Sequence, residues 1–377
     1  MDRKPRDGPA ACCAVASKGS FEMKITDIQA KIFSLELQAP VKVALGEIIQ
    51  SDTVIVRVET DTGLYGFGEG AGIPFVTGET CGDILLAVSL LRETLIGLDP
   101  WAIGEAHQRM AAVLTHHTAA RAAIDLALYD LMGKAARLPL YRLLGGAQNV
   151  VETDKTISLA APGFMADEAH ALVQAGFRHI KIKAGLDPEE DLEAVRRIRE
   201  AVGNAVHLKL DANQGWSVSQ AIRTIRAMEP FGLETIEQPV AAWDVDGLAA
   251  VRAKTVTPIM ADESCFSSRD ALTLVERQAV DFLNIKLMKS CGLYDALRIN
   301  AVAEAAGIGC MLGCMVESRL GIAAGAALVS ACRNFRYADL DSTMFTREHP
   351  GIRGGYQADG PLLHLGDAYG IGVEVDF

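Results

Sequence analysis

His179-Ile180-Lys181-Ile182-Lys183 is the stretch on which the fold turns. Side chains along a strand alternate between two faces, so Ile180 and Ile182 look one way and Lys181 and Lys183 the other. The isoleucines demand burial, and two ammoniums on the opposite face need partners if they too leave water. A barrel satisfies both requirements, because its outer face meets helices and its inner face meets an axis where charges can collect. The same parity recurs in Lys209-Leu210-Asp211-Ala212-Asn213, in Asn284-Ile285-Lys286 and in Asp339-Leu340-Asp341.

Outward from that stretch, strand-like cores recur near residues 157, 181, 209, 236, 260, 284, 310 and 338. Amphipathic segments such as 189–201 and 296–306 fill most of the gaps between them. Strands alternating with helices at this spacing predict an α/β fold, a (β/α) barrel of about eight strands spanning residues 149–342. An open doubly wound sheet is the alternative, weakened because no Gly-x-Gly-x-x-Gly turn follows the first strand. Upstream, residues 23–148 read differently: strands at 24–28, 53–58 and 64–69 precede helical patterns at 83–95 and 119–131. That order predicts an α+β domain, closed by the helix stop Leu144-Gly145-Gly146.

The 377 residues are 50% hydrophobic and 22% charged, which predicts a sizeable core. The net charge of −12 offers no electrostatic footprint for nucleic acid or for an anionic membrane surface. No apolar run reaches membrane-spanning length. Residues 1–22 carry Arg3, Lys4 and Arg6 ahead of a short apolar run, loosely like a secretory leader, but Asp7 and Pro9 interrupt it. They are expected to be a disordered extension. Eight cysteines with no Cys-x-x-Cys pair predict reduced thiols and a cytoplasmic protein.

Asp211, Glu237 and Asp262 end three successive predicted strands. Neighbouring strands lie about 4.8 Å apart, so the three carboxylates can surround one ion. One acid at a strand end could merely cap the next helix; three at the same level argue for a cation. An all-oxygen site suits Mg²⁺, with Mn²⁺ as a substitute. Lys183 and Lys286 flank that position as candidate general bases, their pKa values expected to be lowered by desolvation beside other cations. Lys181 would assist that lowering and could also contact a carboxylate, whereas Lys289 reads as a surface residue of the following loop. A proton α to a carboxylate or amide is too weakly acidic for lysine alone, so the metal must stabilise the enolate. Lysines on opposite faces of a planar enolate would remove the proton on one side and return it on the other. The expected class is an isomerase that removes and returns a proton next to a carboxylate or amide carbonyl.

At Ile180-Lys181-Ile182-Lys183, Asp211-Ala212-Asn213-Gln214, Glu237-Gln238-Pro239, Ala261-Asp262-Glu263-Ser264 and Asn284-Ile285-Lys286-Leu287-Met288-Lys289, the chain resembles the enolase superfamily, muconate-lactonizing subgroup. The resemblance runs from Met23 to the C-terminus and is nearest to dipeptide epimerases of the L-Ala-D/L-Glu kind. It implies a modified TIM barrel, (β/α)7β, with the α+β cap completed by residues 343–377. It also implies that the loops at 42–48 and 72–78 close over the site. Asp339 and Asp341, on the eighth strand, would bind a substrate α-ammonium at the mouth. Cys314 and Met315, in the seventh-strand segment, would meet the dipeptide through their backbone. Thr156, Lys181 and Asn213 complete the implied substrate contacts.

Leu45, Gly46 and Phe75 are the implied specificity positions. Alanyl-glutamate epimerases carry an arginine where this chain has Gly46, and Glu47 beside it would repel a glutamate side chain further. The resulting expectation is Mg²⁺-dependent epimerisation at the C-terminal residue of an L,L-dipeptide, with an uncharged or hydrophobic side chain preferred over Ala-Glu. A homo-oligomer is expected, with a dipeptide as the small-molecule partner. The alternatives are a muconate cycloisomerase, an o-succinylbenzoate synthase or N-succinylamino acid racemase, and, in another class, a non-catalytic binding barrel. Mandelate-racemase chemistry is disfavoured, since no histidine stands at position 286.

Overall fold

The computed structural model describes residues 23–377; the expected extension at 1–22, with Cys12 and Cys13, lies outside the described residues. Eight parallel strands form one sheet in chain order: Lys155–Ile157, His179–Lys183, His207–Asp211, Leu233–Glu237, Ile259–Ala261, Phe282–Lys286, Gly309–Gly313 and Phe335–Asp339. Each of the eight predicted strand centres falls inside one of them. An α-helix follows each of the first seven strands, and only the short 3-10 turn Ser342–Met344 follows the eighth. This is the expected (β/α)7β barrel, and it sets aside the open sheet. The seam between the eighth and first strands is closed by Asp154 N–H donating to the Ala338 carbonyl at 3.0 Å. Thr156 N–H donates across the same seam to Asp341 Oδ2 at 2.7 Å.

Local sequence explains the alternation. Ile180, Ile182, Leu208, Leu210, Ile236, Leu283 and Ile285 are buried under the helices on the outer face. Helix starts are signalled by Asp187 with Pro188 in the first turn, and by a reciprocal Ser217–Gln220 capping box.

The cap is an antiparallel sheet of Ile25–Leu35, Ser51–Thr60 and Tyr65–Gly70 with helices Cys81–Leu95, Ile103–Val113 and Thr118–Ala136. The helix at 103–113 escaped the sequence reading because it buries only Ala106, His107 and Met110, a stripe too thin to show as periodicity. Gly66 and Gly68 let the third strand lie directly on the last helix. A Cβ at Gly68 would stand 1.9 Å from the Ala123 carbonyl oxygen, which no side chain can tolerate.

Buried carboxylates dock cap to barrel. Glu69 accepts from Ser318 N and Oγ at 2.7 Å each and from Gly321 N at 2.8 Å, at the start of the helix Arg319–Ala331. Asp125 accepts from Leu293 N at 2.5 Å, at the start of Leu293–Ala305. Both use the unsatisfied N–H groups and positive end of a helix dipole. The chain's last segment pairs Leu362–Leu365 with Val150–Glu152, and Ile371 N–H reaches Asp130 on the last cap helix.

Among the described residues no helix is long and apolar enough to cross a membrane. The six cysteines described are all free, four of them buried.

Candidate active site

Asp211 and Glu237 are the last residues of the third and fourth strands, and Asp262 stands one residue beyond the fifth. Each offers an oxygen within 4.8 Å of the others, and all three are buried. Local architecture aims them. The chain turns left-handed at Asn213 and Gln214, so that Asn213 N–H returns to Asp211 Oδ1 at 2.9 Å. Gln238, also left-handed, accepts from Asp262 N at 2.9 Å. Asn284 donates to Glu237 Oε1 at 2.7 Å. Such backbone costs of order 1–3 kcal/mol per residue and persists where surroundings over-determine it.

Three buried carboxylates converging without thiol or imidazole are a hard-oxygen donor set, which suits a small divalent cation such as Mg²⁺. The residues present therefore fit the ion that the sequence implies.

Lysines surround the triad. Lys183 Nζ lies 2.7 Å from Asp211 Oδ2 and 3.1 Å from Asn213 Oδ1. Lys286 Nζ lies 2.9 Å from Asp262 Oδ2. Their strands, second and sixth of eight, stand on opposite sides of the ring. Lys181 is wholly enclosed, touching Asp211 at 3.1 Å and Glu237 and Asp339 at 2.8 Å each. The electrostatics differ from expectation. Burial pulls the Lys286 pKa down, but the Asp262, Glu237 and Asp211 carboxylates together outweigh it, and the ammonium is held above its usual value. Lys181 is likewise held up, since Asp339, Glu237 and Asp211 outweigh its burial. Neighbouring lysines lower these values less than direct carboxylate contacts raise them.

Lys289 corrects the surface assignment. It is fully buried, with Nζ 2.6 Å from Asp262 Oδ1 and 3.1 Å from the carbonyls of Cys265 and Asn284. Parity could not reveal it, because it lies in the turn beyond the sixth strand, where alternation ends. Glu263 is a second residue that the strand pattern missed. It lines the site, accepts from Asn213 Nδ2 at 3.2 Å, and burial beside Asp262 pushes it up to about 7.

Asp339 and Asp341 lie deeper than expected: they are buried, not at a solvated mouth. Asp339 pairs with Lys181, while Asp341 holds Thr156 N and lies 3.5 Å from Lys155 Nζ. Both still line the same cleft as Thr156, Lys181, Lys183, Asn213, Lys286, Cys314 and Met315. Its roof is apolar. Val41, Val43, Leu45 and Ile48 come from the cap hairpin Val41–Val43/Gly46–Ile48, and Ile73, Phe75 and Val76 from the second cap loop. Gly46 faces Phe75, whose ring edge would lie 3.7 Å from a Cβ at that position. Glu47 is not in the lining; it points to the hairpin's outer face and pairs with Lys42 at 3.8 Å. Any repulsion of a glutamate side chain by Glu47 would act from outside the lining and against its pairing with Lys42.

A cap of this kind over a (β/α)7β barrel, with three strand-end carboxylates between two lysines, defines a class of capped barrels suited to moving a proton next to a carboxylate. The chain belongs to the mandelate racemase/muconate lactonizing enzyme family: that family's N-terminal domain matches residues 24–145, and an enolase C-terminal-like domain matches 164–377. It is 45% identical to the hydrophobic dipeptide epimerase of Enterococcus faecalis, covering 93% of this chain and 99% of that protein. It is 38% identical to the L-Ala-D/L-Glu epimerase of Bacillus subtilis, covering 93% and 97%. A crystal structure of the Enterococcus faecalis dipeptide epimerase with Mg and L-Leu-L-Tyr superposes with a TM-score of 0.91 at 44% identity, covering 93% of this chain and 99% of that one.

Proposed function

We propose that this protein is a Mg²⁺-dependent dipeptide epimerase acting at the α-carbon of the C-terminal residue, with hydrophobic side chains preferred there. The observation that carries the reading is the pairing of Lys183 and Lys286 across the acid triad beneath a roof without a cation. Asp211, Glu237 and Asp262 would hold the ion, with Mn²⁺ as a substitute. When bound, it supplies positive charge against the oxygens of the substrate's carboxylate as the α-proton leaves.

This chain's own groups do the rest. One of the two lysines, as the neutral amine, takes the α-proton from one face of the C-terminal residue. The other, as ammonium, delivers a proton to the opposite face, and the carbon is inverted. Placing Lys183 and Lys286 on strands four apart makes the two faces accessible to different residues. Asp339 and Asp341 orient the substrate's free α-ammonium through charge-assisted hydrogen bonds, with Thr156 beside them. The backbone at Cys314 and Met315 meets the peptide unit, and Lys181 and Asn213 hold the carboxylate end. Leu45, Phe75 and Ile73 cover the side chain being inverted. The absence of a charge at position 46 disfavours glutamate there. The free thiols fit a cytoplasmic enzyme.

N-succinylamino acid racemase is the neighbouring reading, and one relative of this chain, at 35% identity, is the N-succinyl-L-Arg/Lys racemase of Bacillus cereus. Two carboxylates at the far end of the cleft favour an ammonium over a succinyl anion. The test is α-proton exchange in D₂O followed by NMR and mass spectrometry. L-Ala-L-Phe, L-Leu-L-Tyr and L-Ala-L-Glu would be compared with N-succinyl-L-Phe. Rapid inversion of the hydrophobic dipeptides is expected; turnover of the succinyl compound alone would replace this reading with its neighbour.

A further inference from the structure

At the end of the barrel opposite the cleft, three donors meet that the proton-transfer chemistry does not use. His179 and His207 open the second and third strands and are paired in register. Their rings stack with centroids 4.5 Å apart and planes 13° from parallel. Glu234, on the fourth strand, would point to the other face by simple alternation. An irregularity in the pairing between Leu233 and Thr235 instead turns it toward the histidines, as bulges commonly re-aim a side chain. Its Oε1 lies 2.6 Å from His207 Nδ1, and its Oε2 lies 4.0 Å from His179 Nδ1.

A hydrogen-bonded His207–Glu234 pair accounts for half of this arrangement and leaves the other half unexplained. His179 Nδ1 and Glu234 Oε2 are both shielded from solvent and have no hydrogen-bond partner among the described residues. Shielded polar atoms without partners are uncommon, because each forfeits its hydration. The two face each other at a distance too long for a hydrogen bond and suited to an atom between them. A tetrahedral ion with ligands about 2.0–2.1 Å away sets its donors about 3.3 Å apart, a value bracketed by the 2.6 and 4.0 Å separations here.

The geometry points to a transition-metal site formed by His179, His207 and Glu234 at the N-terminal end of the barrel, selective for Zn²⁺ and related ions. Two imidazoles and one carboxylate leave a fourth position for water, and this nitrogen-rich set discriminates against Mg²⁺. The two ends of one barrel thus have donor sets of different hardness. Because the ligands come from three consecutive strands, the ion ties the second, third and fourth strands together and stabilises the folded chain by mass action.

The experiment is calorimetric titration of the Mg²⁺-saturated full-length protein with ZnCl₂, alongside thermal unfolding. One Zn²⁺ site that excess Mg²⁺ does not displace is expected, with a rise in Tm of several degrees. His207→Gln and Glu234→Gln should each weaken that site tenfold or more and remove the Tm rise, without changing the Tm of the zinc-free protein greatly. Asp211→Asn and Cys314→Ser should keep it, which separates this site from the catalytic cleft whatever the substrate proves to be. Zinc binding lost in Asp211→Asn or Cys314→Ser but retained in His207→Gln overturns the proposal, as does no zinc binding by the wild-type protein.

Discussion

Lys289 Nζ and Asp262 Oδ1 lie 2.6 Å apart, both side chains buried. Lys286 meets the other oxygen of the same carboxylate, so Asp262 is gripped from both sides. Burial opposes the charge on Asp262, but the two ammoniums outweigh it and hold the carboxyl well below the usual range. Removing Lys289 leaves Asp262 with Lys286 alone and strips the buried Cys265 and Asn284 carbonyls of their donor. Lys289→Met is expected to cost about 3–5 kcal/mol of stability, measured by denaturant unfolding. It should also weaken Mg²⁺ binding in calorimetry. A variant of native stability and Mg²⁺ affinity would show Lys289 to be a bystander.

Removing the ion tests the triad directly. EDTA treatment, or Asp211→Asn, Glu237→Gln or Asp262→Asn, should abolish epimerisation while the circular dichroism of the barrel persists. Mg²⁺ should restore the chelated wild-type enzyme and none of the variants. Full activity in the chelated enzyme would remove the ion from the mechanism.

The lysine pair predicts a split between exchange and inversion. Lys183→Ala or Lys286→Ala should stop interconversion of the epimers, yet each can leave deuterium uptake from one epimer by the lysine that remains. Mass spectrometry of each epimer incubated separately in D₂O reads this out. If Lys286→Ala still inverts substrate at the native rate, the two-base assignment is wrong.

Specificity should follow charge at both ends of the cleft. Asp339→Asn or Asp341→Asn is expected to cost about 1.5–3 kcal/mol in kcat/KM for a free dipeptide, roughly tenfold to a hundredfold. In Gly46→Arg only the Phe75 ring lies near the new Cβ, although the φ of +159° at this position strains any side chain. It should raise the ratio of kcat/KM for L-Ala-L-Glu over L-Ala-L-Phe by about tenfold or more, the worth of one charge-assisted contact. An unchanged ratio would mean that position 46 does not reach the inverted side chain.

The cap carries its own pH dependence. His107 Nε2 lies 2.7 Å from Asp125 Oδ1, and Nδ1 lies 3.6 Å from Asp295. Burial lowers the His107 pKa, but the two carboxylates outweigh burial and raise it to about 9. A histidine raised above its unfolded value near 6.5 adds stability that is complete below about pH 6.5 and lost as pH climbs through about 9. The Tm advantage of wild type over His107→Gln should therefore shrink between those limits. An advantage that grows with pH would show that the neutral ring is the favoured form.

The barrel was legible in the sequence because strand parity is a local rule. Ile180 and Ile182 could only be buried outward, so Lys181 and Lys183 had to face the axis, and the same logic placed Asp211, Lys286 and Asp339. Spacing then supplied the order of strands, and the three acids fell at one level without any knowledge of the tertiary fold. What alternation could not reach lay where strands end or bend. Lys289 sits in a turn, and only the folded chain shows its ammonium entering the core beneath Asp262. Glu234 was re-aimed by an irregularity in strand pairing. Glu47 was turned outward by the register of a short hairpin. The depth of Asp339 and Asp341, and the rise of the Lys286 pKa, depended on charges contributed by distant parts of the chain. Sequence by itself determined which faces are buried, because burial follows the period of the backbone; tertiary structure alone decided which charges touch, because Coulomb interactions act over distances that chain order does not record.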